Sequence, residues 1–531
     1  MKTNTLAAKL AAVILLCACE SSREKKEEVV YTDSAVFEQA PAACMAAPIS
    51  QSEPFTEEYS VIKEQGYKSA VHYPYSTFAI DVDAASYSNM RRMIREGYLP
   101  PATEVRAEEW INYFHYNYPS PTGSQPFSIY TEYSDCPWNN NHGLMLVGLK
   151  GKSAETQHAK PNNLVFLIDV SGSMTDADKL PLLKRAFALM LPKLTRNDRV
   201  SVVVYAGAAG VILDGVRGNN TGEITEAFER LEAGGSTAGG EGIELAYKLA
   251  ADHFIEDGNN RVILATDGDF NVGISTPAEL ETFIETKRNN GVYLSVLGFG
   301  QGNIKDNVME TLADKGNGNY YYIDDMLEAR KVLVEQFGGT LNTIAKDVKI
   351  QVEFNPYYVK EYRLIGYENR ALATEDFNND KKDAGELGSD HMVTALYEIV
   401  PAGSRETNAS VDSLKYTKPS LKQNNTELAN IKFRYKDPGK NDTVSKLISR
   451  PVYAVKKNLA QASPDLKLAS AVSEFALLLL NSEYKGNAKL NQAITLVQEA
   501  RVNDEQGYVA ELVQLMRAAK DLKAAEDGKK D

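Results

Sequence analysis

Positive charge is in short supply in this sequence. Its 531 residues carry 58 Lys and Arg against 72 Asp and Glu, a formal net charge of -14. Proteins that hold nucleic acid neutralise phosphates with clustered basic side chains, and no basic stripe occurs here, so nucleic acid is excluded as a partner. Cysteine is scarcer, at four residues. Two of these, Cys17 and Cys19, fall close to the N-terminus, and nothing in the spacing of Cys44 and Cys136 specifies a bridge. Past the N-terminus no run is long and apolar enough to cross a bilayer as a helix. Also missing are a G-x-x-x-x-G-K-[ST] phosphate loop, an H-E-x-x-H pair and a G-x-S-x-G elbow. There are only six histidines, and none stands beside the serine-rich motif described below. That motif therefore lacks an activating base, which argues against an enzyme.

What is present begins with a compartment signal. Lys2 precedes an apolar run over residues 6–16, the pattern of a signal peptide that here occupies residues 1–18. Leu16-Cys17-Ala18-Cys19 then resembles the lipobox of bacterial lipoproteins, with Leu at the third position before Cys19 and a small residue directly before it. Cys17 follows the bulky Leu16 and does not fit. The resemblance implies cleavage before Cys19, lipid on its thiol and amine, and a membrane anchor. The location that follows is the cell envelope at the outer membrane, facing the periplasm or the cell surface. Residues 19–76 are rich in charge, Ala, Ser and Pro, lack periodicity, and are expected to form a flexible tether with an end-to-end distance of about 40 Å. The charged start of this segment, residues 20–28, has two readings: a solvated linker, or an acidic signal like those that carry some lipoproteins to the cell surface.

The remaining chain has the length of several domains at roughly 100–200 residues each. In an N-terminal extension, residues 77–152, Tyr87, Met90, Met93 and Ile94 and later Trp110, Tyr113 and Phe114 recur at helical spacing, and two strand-like runs follow at 127–133 and 144–149. Residues 160–340 alternate strands and helices. The runs at 164–170, 199–205, 261–266 and 293–299 are continuously apolar, as strands are when both faces of a sheet are covered. The fold class expected is therefore α/β, a doubly wound and mainly parallel sheet. Residues 341–455 read as strands with charged connections, and residues 460–525 as helices over 465–480 and 490–522. The two strand-like runs before residue 152 lack a core of their own. They are expected to join the later strands, which makes the α/β block an insertion in a β-sandwich.

In doubly wound sheets, ligands bind beyond the carboxyl ends of the strands. There the sequence places Asp169-Val170-Ser171-Gly172-Ser173, a D-x-S-x-S element, after the first strand of the block. Thr237 follows in a glycine-rich loop, and Asp267 ends a third strand. Hydroxyl and carboxylate oxygens suit a hard cation such as Mg²⁺, with Mn²⁺ or Ca²⁺ as alternatives. These elements, in this order, resemble the von Willebrand factor type A domain and its metal-ion-dependent adhesion site. The residues matching that site are Asp169, Ser171, Ser173, Thr237 and Asp267. The resemblance implies direct ligation by Ser171, Ser173 and Thr237, with the two aspartates acting largely through water, and a metal left free to take an Asp or Glu from a protein partner. Residues 78–88, 99–101, 105–114 and 136–139 further resemble the N-terminal extension of the YfbK-like bacterial family, which also has a C-terminal domain. Asp81 and Asp83 are expected to cap and turn the chain rather than bind a cation.

The function expected is that of a membrane-anchored binding protein, not an enzyme, that captures an acidic residue of a protein partner through a metal. The alternatives are a metal-stabilised scaffold of an envelope complex and a metal-dependent hydrolase. The anchor makes a direct prediction. Cys19→Ala should leave an unlipidated precursor with altered membrane fractionation, read by mass spectrometry of the mature N-terminus. A mature N-terminus elsewhere, with no lipid on Cys19, would refute the anchor.

Overall fold

The computed structural model describes residues 63–80, 83–153, 160–235, 240–268, 276–301, 305–336, 339, 342–382, 384–409, 426–438 and 444–528. Cys19, Cys44, Asp81 and Thr237 lie outside the described residues. The chain enters through two short strands, β1 (Lys68–Ser69) and β2 (Tyr75–Ala79). The tether was expected to reach residue 76, and these strands correct that boundary. Phe78 is fully buried, with its ring 4.9 Å from that of Tyr367, so this stretch has an apolar anchor that a tether lacks. Helices α1 (Ala85–Arg95) and α2 (Ala107–Asn112) follow, and then the hairpin β3 (Phe127–Cys136) and β4 (Asn139–Gly151).

The central domain runs through β5 (Asn162–Asp169), α3 (Leu180–Met190), β6 (Arg199–Tyr205), β7 (Ala209–Arg217), α4 (Thr221–Glu229), α5 (Gly240–Asp252), β8 (Asn259–Thr266), α6 (Pro277–Asn289), β9 (Val292–Phe299), α7 (Asp306–Lys315), β10 (Tyr320–Ile323) and α8 (Met326–Arg330). Its sheet has the order β10-β9-β8-β5-β6-β7, and every pair is parallel except β6 with β7. Side chains of a strand point alternately to the two faces, and β5 shows both faces covered. Leu164, Phe166 and Ile168 enter the core shared with α3, α4 and α8. Val165 and Leu167 enter the core shared with α5, α6 and α7. This is the doubly wound arrangement, and it sets the carboxyl ends of β5, β8, β9 and β10 along one edge.

After the central domain come β11 (Thr343–Phe354), β12 (Val359–Leu364), β13 (Leu387–Gly388), β14 (Met392–Pro401), β15 (Glu427–Lys436) and β16 (Lys446–Tyr453). They build two sheets among the described residues, one ordered β1-β12-β14-β4-β3 and the other β13-β11-β15-β16 with β2 also on β11. Of the two runs expected to join the later strands, the second pairs with them directly: β4 lies antiparallel to β14 from Lys150↔Met392 to Gly143↔Ile399, and β3 enters the sheet as the partner of β4. The central domain is therefore inserted between strands of this later region. Exit and return lie side by side. The amide of Gly151 donates to the carbonyl of His391 at 2.8 Å, and a Cβ on Gly151 would come within 2.8 Å of Ile344 Cδ1. Side chains of both sheets share one apolar core, with Phe127 against Phe433 at 5.9 Å and Phe354 stacked on Tyr362 at 4.0 Å.

The C-terminal helices are α9 (Pro464–Leu479), α10 (Leu490–Ala500) and α11 (Tyr508–Asp527). One continuous helix was expected over 490–522, and the structure divides it. Arg501 takes a left-handed conformation at φ 47, which ends α10, and the Asp504 carboxylate then accepts the amides of Val509 and Ala510 at 3.0 and 2.8 Å. An acidic side chain that satisfies free amide donors starts a new helix. These helices pack on α1 and α2, with Trp110 5.4 Å from Phe475.

One buried charge joins these parts. Arg91 of α1 is 0% exposed. It donates to Asp324 at 2.8 Å, to Glu328 of α8 at 2.9 Å, to Glu511 of α11 at 3.2 Å and to the Tyr113 hydroxyl at 2.9 Å. Burial pushes the Asp324 carboxyl up to about 6, against the pull of Arg91. Removing one partner of such a network strands the others without a counter-charge. Arg91→Met should therefore cost about 3–5 kcal/mol, measured as a fall in the urea midpoint at unchanged slope. A change below about 1 kcal/mol would show that the network does not hold the helices together.

Candidate metal-binding site

The site is assembled where β5 and β8 end. β5 is apolar up to Asp169, and the chain then turns through a short 3-10 segment, Gly172–Thr175, before α3. Asp169 is fully buried. Its carboxylate accepts the Ser171 amide at 2.8 Å, the Tyr205 hydroxyl at 3.2 Å and the Thr266 hydroxyl at 3.3 Å. Burial raises its pKa above the usual carboxylate range, the bonds from Ser171 oppose this, and the charge of Asp267 raises it further. Asp169 thus senses Asp267 across the gap between adjacent strands. Ser171 and Ser173 bring their hydroxyls to 3.0 Å from each other.

The second loop is tied to the first by backbone. The amide of Gly234 donates to the Val170 carbonyl at 2.7 Å, and that of Gly172 to the Gly235 carbonyl at 3.2 Å. Gly235 has φ 103, a conformation that L side chains rarely adopt. The glycines therefore let the two loops meet backbone to backbone. Residue 235 is fixed two positions before Thr237, which itself lies outside the described residues.

Asp267 follows β8, whose residues are all buried, and is itself 0% exposed. Its Oδ2 accepts a bond from Lys179 Nζ at 3.0 Å. Its Oδ1 has no hydrogen-bond partner among the described residues. A buried carboxylate oxygen left so is costly, and it is the kind of orphan that a cation or its water would satisfy. Of the five residues singled out from sequence, the structure brings Asp169, Ser171, Ser173 and Asp267 together at one edge. The donor set is all oxygen, which fits a hard divalent ion. Among the described residues no group of three or more His, Cys, Asp or Glu is placed to hold a metal; this candidate differs in kind, pairing two carboxylates with hydroxyls. Asp83, by contrast, is spent on structure, accepting the Tyr320 amide at 2.9 Å and pairing with Arg370 at 3.0 Å.

The sequence reading missed Tyr205, Thr266 and Lys179. Tyr205 and Thr266 end apolar strands, and their hydroxyls at the carboxyl edge are a usable signal. Lys179 directly precedes α3, and nothing local in the sequence tells of its partner 88 residues away.

Residues 163–336 match the profile of the von Willebrand factor type A domain, residues 53–146 that of von Willebrand factor, and residues 339–522 that of uncharacterized protein YfbK, C-terminal. Uncharacterized protein YfbK of Escherichia coli K12 is 39% identical over 91% of this chain and 85% of its own length. The chain belongs to the YfbK family. Its central domain is the family's von Willebrand factor type A domain, and the strands and helices after it form the YfbK C-terminal region. Human inter-alpha-trypsin inhibitor heavy chain H3 is 29% identical over 45% of this chain but only 28% of its own length. Among solved structures, a von Willebrand factor type A protein from Catenulispora acidiphila aligns over 73% of this chain and 88% of its own, at 17% identity and TM-score 0.39. BatB from Bacteroides thetaiotaomicron covers 33% of this chain and 96% of its own, at 20% identity and TM-score 0.28.

The space around Lys179 depends on one glycine. Gly300 has φ 75, and a Cβ there would lie 2.1 Å from Lys179 Cε. Gly300→Ala should therefore cost about 1–2 kcal/mol from the backbone alone and more from displacing the lysine. Chemical denaturation of metal-free protein checks this, and an unchanged midpoint would refute the close approach.

Proposed function

We propose that the protein is a lipid-anchored binding protein of the cell envelope whose von Willebrand factor type A domain captures an Asp or Glu of a protein partner at a divalent-cation site. The observation that carries this reading is that Oδ1 of buried Asp267 has no partner among the described residues, at the same sheet edge where the Ser171 and Ser173 hydroxyls stand 3.0 Å apart. Ser171, Ser173 and Thr237 would hold Mg²⁺ through neutral hydroxyl oxygens, with Asp169 and Asp267 orienting its waters. Bound there, the ion supplies a Lewis-acidic coordination position for a carboxylate.

The chain's own residues prepare that edge. Asp169 is kept in one orientation by Tyr205, Thr266 and the Ser171 amide, so it is set before any ion arrives. Neutral hydroxyl ligands leave the ion's charge largely uncompensated, which lets an acidic protein attract an acidic ligand at one point. The backbone bonds between the first two loops hold Ser171 next to the loop that carries Thr237. One more distant relative is, by its name, a heavy chain of the inter-alpha-trypsin inhibitor. The lipid on Cys19 places this binding edge at the membrane, with the partner in the envelope or outside the cell.

The test compares Thr237→Ala, which removes a neutral ligand, with Asp169→Asn, which removes charge but keeps an acceptor oxygen. Both should weaken Mg²⁺ binding at least tenfold in titration calorimetry, while metal-free stability changes by about 1 kcal/mol. Crosslinking capture of partners from intact cells should fall in parallel, and chelation of the wild type should mimic the variants. Wild-type Mg²⁺ affinity in both variants would overturn the site. Loss of metal with undiminished capture would replace adhesion by a metal-stabilised scaffold.

A further inference from the structure

The mechanism above leaves one buried charge at the site unused. The Lys179 side chain is 7% exposed, and its Nζ lies 3.0 Å from Asp267 Oδ2. It also donates to the Ser173 carbonyl at 3.0 Å. Asp176, the other acid near it among the described residues, is 3.8 Å away and 73% exposed. Both strong bonds run to groups of the site itself, one to the second aspartate and one to the backbone of the D-x-S-x-S turn. Gly300 contributes no side chain where the aliphatic stem passes. The ammonium is therefore fixed, with little freedom to withdraw when an ion enters.

We infer that Lys179 is a resident counter-cation that couples metal binding to the arrival of a carboxylate ligand and so makes the site selective for acidic partners. The inference rests on the divalent-cation reading given above and deepens it. Asp169 and Asp267 together carry two negative charges, and Lys179 reduces the site to a net of one. A divalent ion then brings it to a net positive charge, whereas two aspartates without the lysine would have been neutralised. In a buried setting charges interact more strongly than in water, so the surplus opposes the metal alone. A carboxylate from a partner cancels the surplus, and a neutral amide of the same shape does not. Metal and carboxylate therefore raise each other's affinity by the same factor, as linkage requires. An ordinary structural ion pair between α3 and the end of β8 would stabilise the fold without producing that coupling.

The experiment titrates Mg²⁺ into the mature full-length protein by calorimetry, alone and with a fixed excess of N-acetyl-glutamate methylamide. The corresponding glutamine compound serves as the neutral control. In the wild type the glutamate probe should tighten Mg²⁺ binding several-fold and the glutamine probe should not. Lys179→Met should bind Mg²⁺ about tenfold more tightly without probe and lose most of the probe's effect. Lys179→Gln should follow it, and Lys179→Arg, which keeps the charge, should retain the coupling. If Lys179→Met does not fold, the comparison of the Gln and Arg variants carries the test. Equal or weaker Mg²⁺ binding in the neutral variants, or coupling undiminished in them, would overturn the role of Lys179 while leaving the metal site intact. A wild type that binds no Mg²⁺ would overturn the metal reading itself, and this inference with it.

Discussion

The guanidinium of Arg91 is the constraint on which the arrangement of the described parts depends. A charge wholly withdrawn from water must be met by opposite charge and by hydrogen bonds, or the chain does not bury it. Arg91 meets that demand with groups 233, 237 and 420 residues further along the sequence. One cation thus obliges the N-terminal extension, the end of the central domain and the C-terminal helix to converge. The apolar contacts around it, such as Tyr87 stacked on Tyr113 at 3.8 Å, supply cohesion but little direction. The geometry of the guanidinium supplies the direction, because its donors fan out in a plane and each must find an acceptor. Lys331 reinforces the junction by donating to the Tyr113 carbonyl, and burial holds its ammonium well below the usual lysine range.

The same demand operates at the carboxyl edge with the opposite sign. There two buried carboxylates lie at the ends of neighbouring strands, and the protein answers them unequally. Asp169 is met by three donors. Among the described residues, Asp267 is met on one oxygen only. The fold itself thus satisfies one acid of the edge and leaves the other partly unsatisfied among the described residues. The edge arises from the sheet itself, since parallel strands of a doubly wound sheet deliver their last residues to one edge whatever those residues are.

Much of this was legible in the sequence, and the reasons are specific. The runs in β5, β6, β8 and β9 are apolar on both faces, so their period and length announce a covered parallel sheet. The D-x-S-x-S element and Asp267 follow such runs, and that alone assigns them to the edge. The pairing of β4 with β14 could be anticipated because two strands with an apolar face need a partner sheet. What could not be read is what depends on distant partners. β1 is two residues long and has no periodicity to detect. Arg91 and Lys179 look like the basic residues of exposed helix surfaces until the fold supplies their acids. The division between α10 and α11 was missed because Asp504 and Gly507 were read through as part of a long apolar period, although both are helix-boundary residues.

The antiparallel pairing of β2 with β11 has a mechanical meaning. Tyr75, at the start of β2, stands opposite Glu353, near the end of β11, and Ala79 opposite Lys349. The central domain joins β11 at its other end, Thr343. Once β1 is released from β12, a pull between the chain ahead of β2 and the central domain therefore draws the two strands lengthwise past each other. The ladder is loaded in shear, with its rungs sharing the strain, and it is not peeled open one rung at a time. The same few hydrogen bonds resist far more tension in that geometry than they would if pulled from a single end.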